Sequence, residues 1–113
     1  MKILVCDDER HIVRLLQLNL ERQGYEVVCA YDGAEAIRNL ESQDFDAAVI
    51  DLVMPIHDGV EVLQWVRENR PNLRIAILSE QADKMRVRED LPHHPDIWVT
   101  KENDLWSWLK EWL

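Results

Sequence analysis

The chain has 113 residues, enough for one domain with a real core, and its 47% hydrophobic and 31% charged residues are the balance of an ordinary globular protein. A formal net charge of −9 argues against nucleic-acid binding by this domain, which needs clustered Lys and Arg, and favours a divalent cation or a basic partner surface. No apolar run approaches a membrane span, Met1-Lys2 leads into a strand-like run without a signal peptide, and Cys6 and Cys29 both lie in such runs, so the expectation is a cytoplasmic domain with two reduced thiols.

Ile3-Leu4-Val5-Cys6 predicts a buried strand running into Asp7-Asp8-Glu9. The first helix follows, with Ile12, Leu15, Leu16 and Leu20 expected on its core side and Gly24 ending it. Tyr25–Ala30 alternates as an edge strand does. Asp32-Gly33-Ala34-Glu35 reads as a capping box opening a second helix with Ile37 and Leu40 inward. Ala47–Ile50 is small or β-branched and uncharged, which suits a strand covered on both faces, and it stops at Asp51. Pro55 stiffens the following loop, and Asp58 with Glu61 forms a second capping box. The third helix places Val60, Leu63 and Val66 inward and ends before Pro71.

Leu73–Leu78 predicts the fourth strand, ending at Ser79, and residues 80–91 a weak helix closed by Pro92. Ile97–Thr100 is the fifth strand, ending at Lys101, and Asn103 caps a last helix. There Leu105, Trp108, Leu109 and Trp112 share a face and are expected in the core. Trp106 and Leu113 fall beside that face, and the readings of them stand level: an exposed patch for a homodimer or an output protein, or end-of-chain fraying or a wider buried stripe. The His93-His94 pair has no partner at ligand spacing and is expected to be solvated; His57, in the loop after Asp51 and within reach of the site, is expected at the surface, and His11 on the outer face of the first helix.

Five strands alternating with five helices over short connections imply an α/β fold with a parallel sheet covered on both sides. The flavodoxin-like, doubly wound order 2-1-3-4-5 places the first and third strands at the centre and the alternating second strand at an edge. With no linker, repeat or low-complexity stretch, residues 1–113 read as a single domain with no output domain in this chain.

The strand ends define the candidate site. The first strand contributes Asp7 and Asp8, the third Asp51, the fourth Ser79 and the fifth Lys101. Open α/β sheets bind ligands at this carboxyl edge. Two carboxylates at ~4 Å repel by ~4 kcal/mol at an effective dielectric of 20, so the cluster calls for cations. Lys101 supplies one charge, and Mg²⁺ suits the remaining oxygens. A carboxylate beside Mg²⁺ and an ammonium can act as nucleophile toward a phosphoryl group, with a hydroxyl donating to a transferred oxygen.

Taken together, Val5-Cys6-Asp7-Asp8-Glu9, the segment Asp51-x-x-Met54-Pro55-x-x-Asp58-Gly59, Ser79, and Lys101 after a hydrophobic strand resemble the receiver domain of bacterial two-component response regulators. The resemblance covers the whole chain. It implies that Asp51 is the phosphoacceptor for a sensor histidine kinase or phosphotransfer protein, and that Asp8, Asp51 and the carbonyl of Val53 ligate Mg²⁺ with Asp7 acting through water. It further implies that Lys101 pairs with the phosphate, and that Ser79 and Trp98 form a switch reshaping the surface from the fourth helix to the fifth. Such a domain promotes only its own phosphorylation and dephosphorylation and is not otherwise an enzyme.

Departures cluster in the second half. Glu80 follows Ser79 where a small residue is usual, Glu102 follows Lys101 where proline is usual, His94-Pro95 stands where Gly-Ala is common, and Trp98 exceeds the usual Tyr or Phe. They support an alternative, a receiver-like interaction module that works without regulated phosphorylation. A metal-dependent phosphatase, a third reading, needs a second acid where Val53 stands.

Overall fold

The computed structural model describes residues 1–80, 91–102 and 105–113. Five strands, β1 (Lys2–Cys6), β2 (Glu26–Ala30), β3 (Ala47–Asp51), β4 (Arg74–Ser79) and β5 (Ile97–Thr100), form one sheet in the order β2-β1-β3-β4-β5. All four pairings are parallel, with Val5 beside both Cys29 and Val49, Asp51 beside Leu78, and Ser79 beside Thr100. This is the expected order. Four helices are described rather than five: α1 (Arg10–Arg22), α2 (Gly33–Ser42), α3 (Gly59–Asn69) and α4 (Leu105–Trp112). Of the helix expected over 80–91, only Glu80 and Leu91 are described, neither helical; residues 81–90 and the cap expected at Asn103 lie outside the described residues.

Two apolar layers sandwich the sheet, and strand alternation divides the residues between them. Leu4, Cys6, Ala48, Ile50, Ile75 and Ile77 pack with Ala36 and Leu40 of α2 and Val62, Leu63 and Val66 of α3. Ile3, Val5, Ala47, Val49, Ala76 and Leu78 pack with Val13, Leu16 and Leu20 of α1 and Leu105 and Leu109 of α4. A strand buried on both faces must be apolar at every position, which is why β3 reads as an unbroken run until Asp51. The same alternation puts Asp51 on the α1/α4 side and Ser79 on the α2/α3 side, since Val49 and Ile77 precede them by two.

Two helices sit in a different rotation from the one expected. In α1 the buried stripe is Val13, Leu16 and Leu20 with Ile12 beside it, while Leu15, roughly a third of a turn away, is 46% exposed. In α4 the stripe turns toward Trp106 and Leu113, both half-buried against the core, and leaves Trp108 54% exposed. Trp108 is therefore not core, and the wider buried stripe describes Trp106 and Leu113. Arg74, at the start of β4, fixes this rotation: its guanidinium lies 4.4 Å from the Trp112 ring and donates to the Trp112 carbonyl at 2.6 Å.

Turn chemistry agrees with the sequence where it was most specific. Gly24 ends α1 at φ +91°, a conformation that costs glycine least. Asp32 and Asp58 accept from the N–H of Glu35 and Glu61 at 2.7 and 2.9 Å. The reciprocal half of each capping box is altered: Glu35 reaches the N–H of Tyr31 rather than that of Asp32, and Glu61 turns to the His57 ring at 2.6 Å. Both cysteines are free thiols, and burial pushes both upward in pKa. Among the described residues no helix is long and apolar enough to cross a membrane.

Candidate functional site

The carboxyl ends of β1, β3, β4 and β5 open into one pocket of about 300 Å³ lined by Asp8, Glu9, Asp51, Val53, Ser79, Glu80 and Lys101. Lys101, with its side chain only 7% exposed, sits at the centre. Its ammonium lies 2.9 Å from Asp7 Oδ2, 3.1 Å from Asp51 Oδ1 and 2.9 Å from Glu9 Oε1. Asp7 is wholly buried and Asp8 exposed, and with Asp51 they present ligand atoms within 4.8 Å of one another, the one such group of His, Cys, Asp and Glu among the described residues.

Each side chain is positioned by backbone pairing. The N–H of Asp7 donates to Ala30, that of Leu52 to Leu78, and that of Lys101 to Ser79, so the sheet ladder runs one residue past the strands and sets the site residues level. Asp7 then accepts from the N–H of Glu9 at 2.9 Å, closing a tight turn into α1. After β3 the chain is held by packing. Met54 is buried and its sulfur meets Cys6 Sγ at 3.3 Å, while Cys6 Sγ also donates to the Asp32 carbonyl. Gly59 lies directly on the Asp51 carbonyl and Gly33 on the His57 carbonyl; a Cβ at either position would collide with backbone. Between these anchors Ile56 and His57 are bent to φ +57° and +80°.

The electrostatics follow from burial. Asp51 is pushed up from 3.8 to about 7, first by burial and then by the Asp7 charge, with Lys101 opposing. Burial likewise raises Asp7 against the hydrogen bonds from Lys101 and the Glu9 N–H. Burial opposes the Lys101 charge too, but Asp7, Glu9 and Asp51 outweigh it and hold the ammonium above the ordinary lysine value. Among the described residues three carboxylates, those of Asp7, Glu9 and Asp51, meet the one ammonium, and that of Asp8 lies beside Asp7 and Asp51. Such a site has room for a cation. The donor set is all oxygen, which fits a hard divalent ion. Ser79 Oγ is buried without a hydrogen-bond partner among the described residues, an arrangement that invites an acceptor in the pocket.

Asp7, Asp8, Asp51, Val53, Ser79 and Lys101 thus come together as expected. Trp98 stands apart, half-buried beside Ile77 and packed against the α2/α3-side core. Glu9, which the sequence offered only as the third acid of a run, proves to be a direct partner of Lys101, 92 positions along the chain.

The fold and this strand-end cluster define a receiver domain, and the chain belongs to the family described as response regulator receiver domain, which matches residues 3–109. Among its relatives is the alkaline phosphatase synthesis transcriptional regulatory protein PhoP of Bacillus subtilis (strain 168), 45% identical over 87 residues, covering 74% of this chain and 36% of that one. The chain thus spans about a third of the length of this curated relative. The response regulator TrrA of Thermotoga maritima, solved in complex with Mg²⁺-BeF, is 30% identical with a TM-score of 0.84 over 99% of this chain and 98% of that one. The chemotaxis response regulator CheY4 of Vibrio cholerae is 27% identical with a TM-score of 0.88 over 99% and 98% of the two chains.

Proposed function

We propose that this domain accepts a phosphoryl group on Asp51 from a phosphohistidine of a sensor kinase or phosphotransfer protein in the cytoplasm. The observation that carries this reading is the Lys101 ammonium bridging Asp7 and Asp51 beside an all-oxygen cluster. A carboxylate oxygen of Asp51 attacks phosphorus, the P–N bond breaks, and the leaving imidazole keeps the electron pair and takes a proton. Lys101 then stabilises charge on the transferred oxygens, and Ser79 Oγ, which has no hydrogen-bond partner among the described residues, donates to one of them. Asp8, Asp51 and the Val53 carbonyl would hold Mg²⁺, with Asp7 acting through water. The ion supplies charge neutralisation between the attacking carboxylate and the phosphoryl oxygens. Hydrolysis of the acyl phosphate by water resets the domain, so its chemistry is confined to itself.

In this reading Ser79 moves toward the phosphoryl group, Trp98 repacks, and the surface carrying β5 and α4 changes shape. The exposed Trp108 favours a second reading, an interaction module that docks a partner or a second copy through α4 without phosphorylation. Incubation with Mg²⁺ and acetyl phosphate followed by intact mass separates them. The phosphoacceptor reading expects a single phosphoryl adduct that is lost in Asp51→Asn; no adduct at any donor concentration, or one that survives the substitution, overturns it.

A further inference from the structure

Lys101 is shared. One of its three carboxylate contacts among the described residues, that to Glu9, comes from a group outside the Asp7/Asp8/Asp51 cluster. Glu9 occupies the N-cap position of α1, where a side chain ordinarily accepts from the first turn, yet it makes no such bond. Its carboxylate is turned to the ammonium at 2.9 Å, with His11 Nε2 3.4 Å from the other oxygen. The Asp7 carboxylate also accepts from the Glu9 backbone N–H, so one acid holds both Lys101 and the backbone from which the Glu9 side chain springs.

Resting on the phosphoacceptor reading above, we infer that Glu9 is a positioning residue that holds Lys101 in its resting place and competes with an incoming phosphoryl group for the ammonium. The two anions want the same donors. Asp7 and Asp51 are buried and cannot withdraw, whereas the Glu9 side chain is 46% exposed and has water to turn into. Phosphorylation therefore exchanges one anion for another on Lys101, and Glu9 sets the barrier to that exchange. Being half-exposed, the contact is one of the weaker ion pairs, and the expected effect is correspondingly modest.

The test uses the full chain with Mg²⁺ and acetyl phosphate, reading the rate of adduct formation by intact mass across donor concentrations for wild type, Glu9→Gln and Glu9→Asp. Glu9→Asp keeps the charge but is one methylene too short to span the contact. Circular dichroism confirms that both variants fold. Both are expected to phosphorylate about two- to fivefold faster than wild type. Equal or slower rates in both overturn the inference while leaving Asp51 as acceptor. A faster Glu9→Gln with an unchanged Glu9→Asp also overturns it, because general repulsion of the anionic donor then explains the gain. No adduct on wild type removes the phosphoacceptor reading and this inference together.

Discussion

The two loops that frame the pocket are held by different physics. The turn after β1 is held by charge: Asp7 grips the Glu9 N–H, and Lys101 grips the carboxylates of both. The loop after β3 is held by volume: Met54 is buried against Cys6, and two glycines admit backbone where no side chain fits. Ion pairs can be re-partnered by an arriving ion or phosphoryl group at modest cost, whereas close-packed backbone cannot. The acid proposed as the phosphoacceptor is thus fixed in space, while the groups around it are held by bonds a ligand can replace.

Substitutions on the packed side break this contrast hardest. Gly59→Ala drives a methyl group into the Asp51 carbonyl and should cost about 2–4 kcal/mol in urea unfolding, while Glu9→Gln on the charged side should change stability by less than about 1 kcal/mol. Equal losses would mean that both loops are held alike.

The next effect has the opposite sign. With Asp51 raised to about 7, the metal-free folded state binds more protons than the unfolded chain between roughly pH 4 and pH 7. Its contribution to stability is complete below that window and is lost as pH rises through 7. Asp51→Asn should therefore be more stable than wild type at pH 8 by about 1–3 kcal/mol, the difference shrinking toward pH 5. Added Mg²⁺ should stabilise wild type at pH 8 more than the variant. A variant less stable at pH 8 would show that Lys101 needs Asp51 more than burial penalises it.

The smallest effect tests the strain between the packing anchors. Ile56 is 65% exposed at φ +57°, so it pays for left-handed backbone without burying its side chain. Ile56→Gly should raise stability by about 1 kcal/mol, read from the urea midpoint. A loss would show that the chain gains more from the stiffness of Ile56 in that bend than it spends in strain.

Strand order and pocket membership were legible because both depend on one-dimensional facts. Continuous apolar runs marked the strands, short crossovers made them parallel, and the residue ending each run had to lie at one edge. Helix rotation was less accessible. Leu15 and Trp108 are apolar and periodic, yet lie outward, because α1 and α4 settle against sheet residues far away in sequence. Lys101 and Glu9 were each visible, but their pairing depends on a turn closed by Asp7. The Arg67 clamp was hidden for the same reason: its guanidinium joins the carbonyls of Leu73 and His94 to the Asp96 carboxylate, tying α3 to the segments before β4 and β5.

Strand alternation has one last consequence. Asp51 belongs to the layer of α1 and α4, and Ser79 to the layer of α2 and α3, although they end neighbouring strands. An anion attached to the first and hydrogen-bonded by the second would act as a rivet through the sheet. Tightening it would draw on both hydrophobic layers at once, so a change at one small oxygen cluster would be felt on opposite sides of the sheet.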